Sequence, residues 1–341
     1  MATGGPITDI VSDGENPTDN NIPRVIDQSI LAQLTDENKI GKGTYAIVYK
    51  IKVDSNEYAF KIARATISRF ADSPEPVKLS ADENKEKEAR IVQQMLALQT
   101  LHKLDNKNLV KCVKSWLTEA NMCIQMELCQ CTLPPLLASK LTLFGRVNHM
   151  APRNTYPYSE ICDLEYFICA HMCEEIVRGL NYLHSQSPPI FHRDIKHANM
   201  YMAILPDGEA VLKVGDYALA PLQECTAQTN TKGVGIYTYL APEICTPPGV
   251  TAKYTPPSDL YSMGMIIPEL FNFNYTIKQE SKRMEYLQDT MVGLIETKMP
   301  NRTKMNVLLK QIEGFFKLVD TQTILSQYAE YNDRLMATGN E

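Results

Sequence analysis

The chain has 341 residues, 44% hydrophobic and 22% charged, with 34 Lys and Arg against 40 Asp and Glu for a net charge of −6. This is enough apolar material for the core of one large domain or two ordinary ones, and the acidic balance speaks against a nucleic-acid binder acting through overall basicity. No apolar run reaches the roughly 18–20 residues that span a bilayer, and the first residues lack the basic and apolar regions of a secretory signal, so neither membrane insertion nor secretion is expected.

Taken in chain order, residues 1–30 are rich in Gly, Asn, Asp, Pro and Thr and are expected to be a disordered lead-in. From Leu34 to Phe60 apolar residues alternate with polar ones, which predicts three short strands joined by a glycine turn and by Asp54-Ser55-Asn56. Residues 65–80 carry two prolines and no period, and read as loop. Residues 81–104 place Ile91, Met95, Leu98 and Leu101 at helical spacing and predict one long helix. Val110 to Met126 supplies two more strands. Residues 133–140 and 164–184 read as helices, the second with Ile168, Met172, Ile176, Leu180 and Leu183 on one stripe, and 141–160 reads as an inserted loop. Short strands are expected in 190–220, helices at 259–271 and 287–319, and a loose polar tail over 319–341. A β-rich part precedes a helix-rich part, so the class is α+β in two lobes.

Nine cysteines are scattered without a CxxC pair. Cys169-x-His171-x-Cys173 falls in a predicted helix, where residues i and i+2 face different sides, so the thiols read as small semi-buried side chains rather than zinc ligands. Reduced thiols without a signal or a membrane span point to the cytoplasm or nucleus.

Four short motifs carry chemistry. Gly41-Lys42-Gly43-Thr44-Tyr45-Ala46-Ile47-Val48 is a glycine-rich turn between two strands, where backbone N–H groups come close enough to hold a phosphate. Ala59-Phe60-Lys61 follows on the next strand. There a lysine flanked by apolar neighbours points away from them, and it must be paired or face a cleft. Phe191-His192-Arg193-Asp194-Ile195-Lys196-His197-Ala198-Asn199 joins a carboxylate that can accept a hydroxyl proton, an amine that can neutralise a phosphoryl group, and an amide oxygen suited to Mg²⁺. Val214-Gly215-Asp216-Tyr217-Ala218 adds a second hard oxygen ligand, and Ala241-Pro242-Glu243 completes the series.

Over residues 34–318 these motifs resemble a eukaryotic protein kinase of the Ser/Thr type. The resemblance implies a bilobal kinase-like fold with a β-rich N-lobe over 34–127 and a helical C-lobe over 132–318. It also implies transfer of the ATP γ-phosphate, with Mg²⁺, to Ser/Thr hydroxyls of protein substrates, without nucleic acid or membrane as partner. Asp194 is then the catalytic base and Lys196 the γ-phosphate contact, while Asn199 and Asp216 hold the metal and Lys61 pairs with the α/β-phosphates. Ile40, Gly41, Lys42, Gly43, Thr44, Tyr45, Ala46, Val48 and Ala59 would line the nucleotide site, with Met126 as gatekeeper and Glu127 and Cys129 in the hinge. Asp259 and Gly264 match the buried pair of the long C-lobe helix, and Glu243 is expected to pair with Arg302.

Several positions depart from the family pattern. The third loop glycine is Ala46, the metal motif reads Asp216-Tyr217-Ala218, and Ile236 follows Gly235 where the family has a hydroxyl. For the glutamate that should hold Lys61, two registers compete: Glu88 with a lengthened helix, or an ungapped alignment that puts Ala97 there, with Glu86 as a third candidate. These departures keep a second function open, a pseudokinase that binds nucleotide or partners without turnover. Arg193 beside Asp194 implies control by a phosphate in the 217–240 segment, placed by an activating kinase or by autophosphorylation, with Thr226, Thr229 and Thr231 as candidates. Val214-Gly215-Asp216-Tyr217 and Met126 look like a NIMA-related kinase, whereas Ile124 to Cys129 followed by Thr132-Leu133 looks like the kinases of translation initiation factor 2.

Overall fold

The computed structural model describes residues 26–43, 46–64, 98, 100–118, 121–145, 161–217, 239–245, 254–276 and 278–338. The chain divides into two compact units, Met1–Asp105 with Lys111–Leu128, and Asn106–Val110 with Cys129–Glu341. The first is a β-sheet unit and the second is mainly helical, the α+β organisation that the sequence predicts.

In the first unit, a short helix α1 (Gln28–Leu31) precedes strands β1 (Lys39–Lys42), β2 (Ala46–Val53), β3 (Asn56–Arg64), β4 (Cys112–Leu117) and β5 (Asn121–Glu127). The strands form a five-stranded antiparallel sheet in the order β1-β2-β3-β5-β4. Residues directly opposite in adjacent strands share a face. The pairs Tyr49↔Phe60 and Ile62↔Cys123 put Tyr49, Ile51, Phe60 and Cys123 on one face, where they bury together with Trp116. The pairs Gly41↔Val48, Val48↔Lys61, Lys61↔Ile124 and Ala59↔Met126 put Gly41, Val48, Ala59, Lys61 and Met126 on the other.

The expectation of disorder through residue 30 does not hold from residue 26 onward. Ile26 is 1% exposed and, with Ile30, seals the Tyr49–Phe60 face. Gln33 fastens this segment by taking the Lys52 N–H at 2.7 Å and donating to the Lys52 carbonyl at 2.9 Å. Of the helix expected over 81–104, positions 98, 100 and 101 are described and are helical; the rest lies outside the described residues, as do 65–80 and most of the 141–160 insertion.

The second unit holds α2 (Leu133–Leu143), α3 (Asp163–His184), α4 (Pro256–Phe271), α5 (Lys282–Leu294), α6 (Met305–Phe316) and α7 (Thr321–Thr338). A three-stranded antiparallel sheet in the order β6-β7-β8 comprises β6 (Cys131–Thr132), β7 (Met200–Ile204) and β8 (Ala210–Val214). Helix α3 is the spine of the unit: Cys169, Cys173, Ile176, Leu180 and Leu183 recur at three- and four-residue spacing and are fully buried. Gly264 lets α4 approach the end of α5, because a Cβ there would lie 2.7 Å from the Leu294 Cβ.

Two readings change in this unit. The helix expected over 287–319 is two helices, α5 and α6, separated by a turn at Met299–Asn301. Pro300 cannot donate a helical hydrogen bond, and the break allows Arg302 to leave the helical line. The tail expected after residue 319 contains α7, whose polar composition hides a sparse apolar stripe. Ile324 is buried, Tyr331 meets Phe144 edge to face with ring centroids 4.8 Å apart, and the Gln327 side chain accepts the Leu164 N–H of α3 at 2.9 Å. That N–H is one of the donors a helix start leaves without an internal partner.

Candidate active site

In the second unit the residues 192–199 loop is built around two carboxylates. Asp194 Oδ2 and Oδ1 accept from Lys196 Nζ at 2.8 and 3.0 Å, and Asn199 Nδ2 donates to Asp194 Oδ2 at 2.9 Å and to its backbone carbonyl at 2.8 Å. With its NH₂ directed at Asp194, Asn199 retains its amide oxygen as an acceptor for a cation. Behind the loop, Asp259 of α4 is completely buried and takes the backbone N–H groups of His192 at 2.8 Å and Arg193 at 3.0 Å. His184, at the end of α3, reaches the same carboxylate at 2.8 Å. Burial alone would raise the Asp259 carboxyl, but the bonds from His184 and His192 outweigh it and hold the group below the usual carboxylate range. Arg193 sits at φ 65°, a left-handed conformation that costs a non-glycine residue about 1–3 kcal/mol and persists only where its surroundings enforce it. Asp259 supplies that enforcement through two adjoining N–H groups.

The turn carrying Asp216 is tied to the same loop. Gly215 N donates to the Asn199 carbonyl at 2.9 Å, and the Gly215 carbonyl meets His192 Nε2 at 2.7 Å. A side chain at 215 would force the Tyr201 ring to move, because a Cβ would lie 2.5 Å from it. Asp216 follows at φ 62°, and the Tyr217 hydroxyl donates to the Val110 carbonyl at 2.5 Å. Backbone hydrogen bonding therefore makes neighbours of Asn199 and Asp216, one amide and one carboxylate oxygen. Among the described residues no three His, Cys, Asp or Glu side chains gather as a metal site by themselves. A cation held by Asn199 and Asp216 must take its other ligands from water or substrate, which is the habit of Mg²⁺. The donor set thus fits that ion.

In the first unit Lys61 is 5% exposed on β3, on the sheet face it shares with Val48, Ala59 and Met126. Ile40 is 52% exposed on β1, the edge strand separated from β3 by β2. Among the described residues, a Cβ on Gly41 would make ordinary contact with Val48 at 3.6 Å and one on Gly43 would meet the Ala46 carbonyl at 3.7 Å, and neither residue takes a positive φ. Gly43 N donates to the Ala46 carbonyl at 2.8 Å and closes the turn. Glu127 is fixed by Lys111, whose N–H it accepts at 2.6 Å through its side chain. Cys129 starts the second unit and is half-buried, and its neighbour Gln130 bonds to Met202. Lys42, Ala46, Val48, Ala59, Met126 and Glu127 all lie in or directly beside the strands expected of them. Thr44, Tyr45, Glu86, Glu88, Ala97, Ala218, Gly235, Ile236 and the three activation-segment threonines lie outside the described residues.

A protein kinase domain model matches residues 34–324. The chain belongs to the protein kinase family. Its relatives include the serine/threonine-protein kinase WNK8 of Arabidopsis thaliana, 27% identical over 70% of this chain and 35% of that protein. The interferon-induced, double-stranded RNA-activated protein kinase of Rattus norvegicus is 26% identical over 90% of this chain and 54% of its own length. The receptor protein-tyrosine kinase CEPR1 of Arabidopsis thaliana is 28% identical over 79% and 25%. The chain spans about half or less of the length of these relatives.

The kinase domain also contains the structural ion pair expected between Glu243 and Arg302. Arg302 is forked onto both Glu243 oxygens at 2.7 and 3.0 Å, donates further to the Pro257 and Glu296 carbonyls, and lies over the Tyr261 ring. Burial pushes the Glu243 carboxyl up, and the bonds from Arg302 and Ser258 overcome it and leave it lowered. Sequence patterns do not announce three other features of this kinase: the His184 bond to Asp259, the Tyr217 bond to Val110, and a cluster of His197, Tyr239 and Glu269. Each joins residues 30 or more positions apart, and no local period marks them.

Proposed function

We propose that the chain is an Mg²⁺- and ATP-dependent protein kinase that phosphorylates Ser and Thr hydroxyls of protein substrates. The observation that carries the proposal is the Asp194 constellation: a half-buried carboxylate held by Lys196 and Asn199 on a loop whose backbone is locked by Asp259. Asp194 orients the acceptor hydroxyl and takes its proton, and Lys196 neutralises charge on the γ-phosphoryl group. Asn199 and Asp216 would hold Mg²⁺, which supplies charge neutralisation at the phosphates when bound. Lys61 would neutralise the α/β-phosphates, and Gly41 and Gly43, which carry no side chains, leave room for phosphate against the β1–β2 turn. The exposed Ile40 gives an apolar surface suited to adenine.

Lys196, two residues after Asp194, favours Ser/Thr over Tyr as acceptor, as do the serine/threonine kinases among the relatives. The likeness to NIMA-related kinases rests on Val214 to Tyr217 and Met126, and the substrate follows from neither. Activation by phosphate on Thr231 is part of the proposal, with Arg193 as the cation beside the catalytic loop. The second function, a nucleotide-binding module without turnover, draws on Ala218 and Ile236 in the sequence. Transfer of radiolabelled phosphate from Mg-ATP to casein separates the two. Loss of transfer in both Asp194→Asn and Lys61→Met is the expected result. A folded, fully phosphorylated wild-type chain that binds Mg-ATP and transfers nothing would establish the second function instead.

A further inference from the structure

Strand β8 ends at Val214, two residues before Asp216, so whatever fixes β8 fixes the start of the turn that carries this carboxylate. One side of β8 pairs with β7 in the register Tyr201↔Lys213 and Ala203↔Val211, and the other side is an edge of the sheet. Backbone groups alternate along an antiparallel strand, so Leu212 and Val214 turn theirs toward that edge. Residues 108–110 meet most of them. Asn108 Nδ2 donates to the Leu212 carbonyl at 3.1 Å, the Asn108 carbonyl accepts the Val214 N–H at 2.8 Å, and the Val110 N–H reaches the Val214 carbonyl at 2.9 Å. The remaining group, the Leu212 N–H, goes to a side chain instead: Glu175 of α3 accepts it through Oε2 at 2.9 Å.

Glu175 is dedicated to this bond. The charges around it are engaged with one another, Lys107 with Glu209 at 2.9 Å and Glu174 with Arg178 at 2.6 Å. Among the described residues, the Leu212 N–H is the one hydrogen-bond partner of the Glu175 side chain. Leu212 is 2% exposed, so its N–H is shut off from water and depends on that acceptor. One turn further along α3, Gly179 allows a close approach to the same strand. A Cβ there would lie 2.7 Å from the Asn108 carbonyl oxygen and 2.9 Å from Val214 Cγ2. Two successive turns of α3 thus grip β8, at Leu212 and at Val214. Beyond Val214, Gly215 is bonded to Asn199 and His192, and Asp216 follows at φ 62°, a conformation that persists only where its surroundings enforce it.

We infer that Glu175 is a positioning residue for the metal ligand Asp216: its side chain closes the outer edge of β8 and so sets the strand from which the Asp216 turn projects. The inference rests on the kinase reading above, in which Asp216 holds a divalent cation. It concerns that cation and not the protein acceptor, which is assigned to Asp194.

The test uses the full chain and the variants Glu175→Ala, which removes the acceptor, and Glu175→Gln, which keeps an acceptor oxygen in its place. The readouts are the Mg²⁺ concentration that half-saturates casein phosphorylation, the KM for casein, and the Kd of Mn²⁺ in the presence of ADP. The last is followed by electron paramagnetic resonance and needs no turnover; Mn²⁺ favours the same oxygen ligands as Mg²⁺. Stranding a buried N–H amounts to about a tenfold change. Glu175→Ala should therefore raise the Mg²⁺ requirement and the Mn²⁺ Kd about tenfold, with the casein KM within about twofold of wild type. Glu175→Gln should keep all three within about threefold of wild type. Slow amide exchange in α4 and α5 of each variant shows that the fold is retained. A folded Glu175→Ala chain with unchanged Mg²⁺ requirement and Mn²⁺ Kd, an equal rise in the casein KM, or a Glu175→Gln chain that behaves like Glu175→Ala would overturn the inference. If the wild-type chain binds Mn²⁺ with ADP but transfers no phosphate, the kinase reading fails and the Mn²⁺ Kd of the variants still decides the role of Glu175. If the wild-type chain does not bind Mn²⁺ with ADP at all, the metal role of Asp216 falls and this inference with it.

Discussion

Tyr217 follows Asp216, and its hydroxyl oxygen is not idle. It donates to the Val110 carbonyl at 2.5 Å inside a site that is 3% exposed. Tyr217→Phe keeps the ring and leaves that carbonyl without this donor, so it should cost about 1–2 kcal/mol of stability, measured as a shift in the denaturant midpoint at unchanged slope. A midpoint that does not move would mean that the carbonyl finds another donor. Glu175 of α3 poses a different question. Its carboxylate accepts the Leu212 N–H at 2.9 Å, and burial raises its pKa to about 7. Below its ordinary value of 4.5 the group is neutral in both folded and unfolded chains and has no effect on stability. Between 4.5 and about 7 the folded chain holds a proton that the unfolded chain releases, so stability falls as pH rises through that window and stays lowered above it. Glu175→Gln keeps the acceptor oxygen and removes the charge. It should match wild type at pH 4 and be about 1–2 kcal/mol more stable at pH 8, after discounting for solvent screening. Equal stability of the two proteins at pH 8 would show that the charge is well solvated in place.

Elements with a clear period were legible from sequence, and elements whose reason lies elsewhere were not. The strands around Lys61 alternate because one sheet face is buried, and α3 shows a long helical stripe because one side of it is buried while His171 and Arg178 stay exposed. The meeting of Asp194, Lys196 and Asn199 was legible because their spacing is local and they fall within one loop. Helix α1 has four residues and cannot show a helical period, although Ile26 and Ile30 are core residues. Helix α7 has few apolar positions, and its docking depends on Gln327 and Tyr331, which read as solvent-facing in a linear pattern. The Met299–Asn301 break carried a local signal, Pro300 within the largely polar run Glu296–Lys304, which the apolar spacing on either side outweighed in the reading. Residues 26–33 precede the segment that matches the family model, which begins at 34, yet they cover the Tyr49–Phe60 face. Ile26→Ala should therefore destabilise the sheet unit by about 2–4 kcal/mol, as for any large side chain removed from a core. Denaturation followed by Trp116 fluorescence, a probe within the same cluster, would measure it. A cost under about 0.5 kcal/mol, the range of surface substitutions, would mean that the segment lies on the sheet without sealing it.

At the scale of the whole molecule, two units with separate cores raise the question of whether they unfold as one. Each core carries its own thiol reporter. Cys123 is fully buried in the sheet unit, and burial pushes its pKa up to about 12. Cys169 and Cys173 are fully buried on α3 in the helical unit; burial pushes Cys169 up to about 11 and raises Cys173 as well. Thiols held protonated and away from solvent do not react with alkylating reagents until their surroundings open, whereas Cys245 is exposed. Iodoacetamide applied to the native chain should therefore modify Cys245 first and leave the three buried thiols intact. Across a urea series their labelling midpoints then report the opening of each core separately. Among the described residues the sheet unit has the smaller core, sealed in part by the short segment at Ile26 and Ile30, and a smaller core buries a smaller share of its chain. Cys123 should accordingly become reactive at a lower urea concentration than Cys169 and Cys173, and those two should label together because one helix carries both. Ile26→Ala should move the Cys123 midpoint and leave the other two in place. If all three thiols label at one midpoint, and Ile26→Ala shifts them equally, the molecule unfolds as a single cooperative unit and the two cores share their stability.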